Sequence, residues 1–158
     1  MRSKTLVLMS ALLICFLISN NPLVAQSKDR NNPTPLRSPK ISGIASPAGT
    51  VYWYKLTAGP GELVIDMQVV GTSSAGGFTS GSARFVLYDR DMQEVMNESI
   101  WAGYNVERKN KSLRLKSKQD FLLAIGLGEG KDVREKSGGT YMIRFNGAID
   151  LPPEKEER

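Results

Sequence analysis

From Glu62 to Val70 the chain alternates: Leu63, Ile65, Met67 and Val69 fall on one side, and Glu62, Asp66 and Gln68 fall on the other. A period of two sends successive side chains to opposite faces of an extended strand, so this segment predicts a strand with one buried face. Phe85 and Leu87 repeat the pattern, as do Leu113 and Leu115 against Arg114 and Lys116, and Tyr141, Ile143 and Phe145 around Arg144. The rhythm predicts eight strands, at about 40–46, 50–57, 62–71, 82–89, 93–101, 111–117, 120–127 and 139–147. Turns at Ala58-Gly59-Pro60-Gly61, Asp89-Arg90-Asp91 and Ser137-Gly138-Gly139 punctuate them. No window carries the 3.6-residue period of an amphipathic helix. Short strands at this spacing predict an all-β, antiparallel two-sheet sandwich. The glycine- and serine-rich stretch Thr72–Gly81 reads as a mobile loop between strands.

The ends differ from this middle. Arg2 and Lys4 precede an apolar stretch from Leu6 to Ile18, and Ala25 supplies a small residue before Gln26. That is the layout of a secretory signal peptide at 1–25, and the expected location is secreted or periplasmic. The apolar run falls short of the ~20 residues a bilayer span needs, so cleavage is the expected fate and retention as an anchor the alternative. Cys15 lies inside the stretch, but Ile14 stands where a lipidation motif requires a small residue. Residues 26–39, polar and proline-rich, read as a flexible leader; 40–147 form the sandwich; 148–158 read as a charged tail.

Removing 25 of the 158 residues leaves 133, enough for one core. Two of the 21 basic residues and none of the 16 acidic ones leave with the signal, which takes the net charge from +5 to +3. The charges are of mixed sign with no basic block, which argues against a nucleic-acid partner. The sole cysteine lies in the signal and the chain has no histidine. A Ser-His-Asp triad and a thiol mechanism are therefore excluded, and the fold must hold without disulfides. A Ser-Lys dyad or a carboxylate pair remains formally open, but no local pattern singles one out. The chain reads as no enzyme.

The run Val51-Tyr52-Trp53-Tyr54-Lys55-Leu56-Thr57-Ala58-Gly59-Pro60-Gly61, followed by Glu62-Leu63-Val64-Ile65-Asp66-Met67, resembles the opening of bacterial pre-peptidase C-terminal domains. Phe85-Val86-Leu87-Tyr88-Asp89, Phe121-Leu122-Leu123-Ala124-Ile125 and Gly139-Thr140-Tyr141-Met142-Ile143-Arg144 fit the later blocks. The resemblance spans about 40–147. It implies a jelly-roll-like sandwich that serves as an accessory module of secreted proteins such as peptidases, with no catalysis of its own.

Three groups of residues invite chemistry. Gly126-Leu127-Gly128-Glu129-Gly130-Lys131 has a phosphate-loop look, but Asp132 stands where Ser or Thr is required, and a loop between strands is the better reading. Asp89, Asp91 and Glu94 could offer oxygens to calcium, the only cofactor the chain invites; ordinary turn capping by Asp is the competing account. Glu129 and Asp132 form a weaker oxygen pair. If Tyr52, Tyr54 and Leu56 face inward, Trp53 and Lys55 face outward, and an outward Trp stacks well on a sugar ring. Trp101 and Tyr104 would extend that platform; packing of Trp53 under the leader or on the second sheet's edge is the alternative. The expected function is non-covalent binding of a polysaccharide, cell-surface component or protein partner, with Trp53, Lys55, Trp101 and Tyr104 as contact residues. The alternative is an accessory domain that stabilises a separately encoded secreted peptidase or other hydrolase.

Overall fold

The computed structural model describes residues 26–45, 50–74, 77–79, 81–102, 105–126 and 139–152. Their regular structure is strand throughout: β1 (Thr34–Pro35), β2 (Lys40–Ala45), β3 (Val51–Ser74), β4 (Gly77–Thr79), β5 (Gly81–Tyr88), β6 (Glu94–Ala102), β7 (Val106–Leu115), β8 (Gln119–Gly126) and β9 (Gly139–Asp150). None of these residues forms a helix long and apolar enough to cross a membrane. Every pairing is antiparallel except that of β1 with β3.

The organising element is β3, 24 residues long. Its first half pairs with β8, which continues to β5 and β6; its second half lies between β7 and β9, and β9 continues to β2. The predicted strands 50–57 and 62–71 are thus one strand that changes sheet. The predicted turn between them is a corner. Gly59 and Gly61 hold φ of 98° and 127° there, values open to glycine and costly for residues with a Cβ. The partner strand β9 follows the corner with Gly147 at φ 77°, where a Cβ would meet the Glu62 carbonyl oxygen at 2.1 Å. With the halves of β3 counted separately and the short β1 and β4 set aside, eight strands a to h remain in chain order. They run a-h-c-f in one sheet and b-g-d-e in the other, the two-sheet order of a jelly roll.

The inward faces meet in one apolar core. Leu63, Ile65, Met67 and Val69 of β3 pack with Phe85, Leu87, Phe121, Leu123, Ile143 and Phe145, all fully or almost fully buried. Phe85 of one sheet meets Tyr141 of the other edge to face, ring centroids 6.2 Å apart. Each such side chain contributes about 1.5–3 kcal/mol by leaving water.

The two open sides of the sandwich are closed differently. On one side the segment expected to be a mobile leader is laid against the first half of β3. Trp53 N–H donates to Ser27 O at 2.8 Å, β1 pairs with Tyr54 and Lys55, Leu36 is buried in the core, and Phe145 N–H donates to Pro39 O. On the other side Glu98 of β6 meets Lys109 and Lys111 of β7 at 2.9 and 3.7 Å. The Lys109 ammonium, hydrogen-bonded to Glu98, holds that carboxyl below its ordinary value.

Three further boundaries depart from the sequence expectation. Residues 72–74 and 77–79, read as loop, pair as a hairpin extension of β3 with β4. β7 begins at Val106 rather than 111, because Val106 and the polar run 107–110 pair through their backbone along an edge where no apolar face is needed. β9 continues to Asp150, and Ile149 and Leu151 pack against the core where the tail was expected to start. Residues 1–25, read above as a signal peptide, and 153–158 lie outside the described residues.

Candidate functional site

The outer face of the β3–β8–β5–β6 sheet carries Trp53 and Trp101, and around Trp53 it is largely self-satisfied. Trp53 points outward but is half-buried. The Arg30 guanidinium sits 5.9 Å from its ring centre, and Tyr88 lies beside it at 6.0 Å with a 31° tilt. Lys55 is ion-paired with Asp120 at 2.9 Å, and Thr57 Oγ donates to the same carboxylate at 2.7 Å. The Thr57 hydroxyl first, and Lys55 second, keep the Asp120 carboxyl below its ordinary value. Arg84 donates to Asn97, which in turn donates to Glu94.

Trp101 shares this face and is 69% exposed, opposite Ser82. Three strand spacings and four residues separate it from Trp53, about 20 Å, so the two indoles do not form one platform. Tyr104 lies outside the described residues, as do Leu127–Lys131 of the phosphate-loop-like run and the pair Glu129 and Asp132.

The carboxylates proposed for calcium sit in the β5–β6 turn. Asp89 Oδ1 accepts the backbone N–H groups of Asp91 and Gln93 at 3.0 and 2.8 Å, which holds Met92 at φ 61°. Glu94 accepts Asn97 instead of joining them. Among the described residues no three metal-ligating side chains gather.

The outer face of the β2–β9–β3–β7 sheet is different in kind. Its rows follow from register. Ile44, Thr140, Val70 and Val106 cross the sheet in one row; Ser42, Met142, Gln68 and Arg108 form the next; Lys40, Arg144, Asp66 and Asn110 form the third. Asn146, Val64 and Ser112 follow, then Glu62 beside Arg114. Asp66 is the pivot. Asn110 Nδ2 donates to its Oδ1 and Asn146 Nδ2 donates to its Oδ2, the latter at 3.0 Å, while Ser112 donates to Glu62. Each asparagine spends one N–H on Asp66 and keeps its other N–H and its carbonyl oxygen for a ligand. The carboxylate therefore fixes two amides in place and aims their remaining groups outward.

Beside this array lies a shallow groove of about 320 Å³, lined by Ser42, Gly43, Gln68, Val70, Thr140, Tyr141 and Met142. Its volume is at the lower end for ligand pockets. Hydroxyl and amide groups stand around an apolar floor of Val70 and Met142. Sequence reading reached the polar side of β3, Glu62, Asp66 and Gln68, but not this site. The groups that complete it come from β7 and β9, and only register places them beside Asp66.

The chain matches no family model and no curated protein sequence. It is similar to a solved structure described as "CBM4 structure and function", with TM-score 0.45 and 7% identity, over 67% of this chain and 64% of that one. The match thus spans less than two thirds of that chain's length.

Proposed function

We propose that the protein is an exported, non-catalytic binding module that takes a polysaccharide across the outer face of the β2–β9–β3–β7 sheet. The observation that carries this is the Asn110–Asp66–Asn146 array on an uncovered sheet face. It is a fixed row of hydrogen-bonding groups beside a groove whose apolar floor and polar rim suit the amphiphilic ring of a sugar. The one carboxylate of the array, Asp66, is engaged by two asparagine amides, and the chain has no histidine to act as a base near neutral pH. The test is affinity electrophoresis of the purified protein through gels containing a panel of envelope and plant-wall polysaccharides. One polymer should retard it, and Gln68→Ala or Asn146→Ala should abolish the retardation while the thermal midpoint moves little. Loss on Trp53→Ala with no loss of stability would instead place the ligand on the opposite sheet.

A second reading is favoured by Ile44 and Val106, 71% and 45% exposed, which lie in one row with Val70 at the end of the β2–β9–β3–β7 face. Exposed apolar side chains grouped at one end suit a protein partner, in line with an accessory domain of a secreted hydrolase. Retention of one such hydrolase on the immobilised protein, lost on Ile44→Asp, would support it.

A further inference from the structure

The two outer faces differ in how their charges are spent. On the β3–β8–β5–β6 sheet, Lys55 is paired with Asp120 and Arg84 is bonded to Asn97. On the β2–β9–β3–β7 sheet, Lys40, Arg108, Arg114 and Arg144 are exposed, and none is in an ion pair among the described residues. The two carboxylates on that face, Glu62 and Asp66, already accept hydrogen bonds from Ser112, Asn110 and Asn146. The face therefore sets four cations against two carboxylates, a net charge of +2, with a surplus of donors.

Part of this follows from edge protection. β7 has no strand beyond it in its sheet, and charged side chains such as Arg108 and Arg114 deter pairing with another chain. That account does not reach Arg144, which stands on β9 between β2 and β3. Arg144 lies opposite Lys40 across the β2–β9 ladder and opposite Asp66 across the β3–β9 ladder, with no ion pair to Asp66 among the described residues. Like charges so placed repel; Asp66, on the far side of Arg144, offsets part of that cost, and an anion seated between Lys40 and Arg144 would relieve the rest. Arg144 and Arg108 lie two strands and two residues apart, about 12 Å, with Gln68 and Asp66 between them.

We infer that the polymer bound here is an acidic polysaccharide, one that carries carboxylates along its length. Its carboxylates meet Arg144 and Arg108, whose planar guanidinium forks match a carboxylate's two oxygens. Its hydroxyls meet Asn146, Asn110 and Gln68. The inference rests on the saccharide reading of this face and adds the charge of the ligand.

The test compares polymers of one backbone. Affinity electrophoresis and calorimetry are run on the purified protein with polygalacturonate, with its fully methyl-esterified neutral form, and with double-stranded DNA. Polygalacturonate should bind at least about tenfold more tightly than either, the scale of one charge-assisted hydrogen bond, and weaken as salt rises. Arg144→Gln should lower that affinity about tenfold, Lys40→Gln should lower it too, and Arg84→Gln on the opposite sheet should leave it unchanged. Unaltered thermal midpoints would show that the variants are folded. Equal binding of the free and esterified polymers would overturn the inference and leave the saccharide reading standing. DNA bound as tightly as polygalacturonate would overturn it in favour of an unselective polyanion face. No retardation by any polymer, charged or neutral, would remove both the inference and the reading beneath it.

Discussion

Tyr141 shows how much a single side chain does in this fold. Its ring packs on Phe85, its hydroxyl accepts Gln26 Nε2 at 2.9 Å, and it lies against Gly43, where a Cβ would come within 2.6 Å of that hydroxyl. Burial pushes the Tyr141 phenol far above its ordinary value of 10.0, and burial raises that of Tyr54 as well. A group whose folded value is raised stabilises fully below its unfolded value and loses that contribution as pH climbs past it. The thermal midpoint should therefore hold between pH 7 and 9 and fall above pH 10. Tyr141→Phe should start lower by about 1 kcal/mol, for the lost hydrogen bond, and fall less steeply in the alkaline range. A wild-type midpoint that is flat to pH 11 would contradict this account. The inward position of Tyr141 was legible from its alternation with Arg144. Its partners were not, because Gln26 and Gly43 approach it from segments far off in sequence.

At the scale of elements, the leader and β3 carry the lesson. Residues 26–39 read as mobile because prolines and polar side chains give no apolar period, yet docking here uses backbone groups and one buried leucine. Leu36→Ala should destabilise the protein by about 2–3 kcal/mol in urea unfolding. An unchanged midpoint would mean that the leader does not contribute to the fold. The strands themselves were legible wherever one face is buried, since burial imposes the alternation that reveals them. The corner at Gly59–Gly61 was legible as a break in extended structure but not as a change of sheet. A hairpin and a corner use the same residues, and only the partners on each side tell them apart. The short β1 and β4 left no signal, because two or three paired residues leave too few side chains to show a period.

For the whole molecule, the distribution of charge matters more than its total. A net charge of +5 over 158 residues says little about partners, and in the sequence the cations read as a mixed, solvated surface. The fold separates them: some are paired across the β6–β7 gap or on the aromatic-bearing face, while four on the other face make no ion pair among the described residues. The candidate site was therefore legible as residues but not as a place. Aromatic content drew attention to Trp53 and Trp101, and the structure holds one under the leader and sets the other about 20 Å away.

The passage of β3 from one sheet to the other also has a consequence for how the molecule opens. β3 pairs with β1, β4, β7, β8 and β9, so the two sheets are tied through one continuous strand that is an inner strand of one and borders the other. Native-state hydrogen exchange should give the amides of Tyr54 and Ile65, on opposite sides of the corner, the same opening free energy, equal to that of global unfolding. A large gap between the two would mean that the sheets exchange as separate units. A molecule built on such a shared spine offers a protease no half-detached sheet among its described strands, and complete unfolding becomes the event that exposes them.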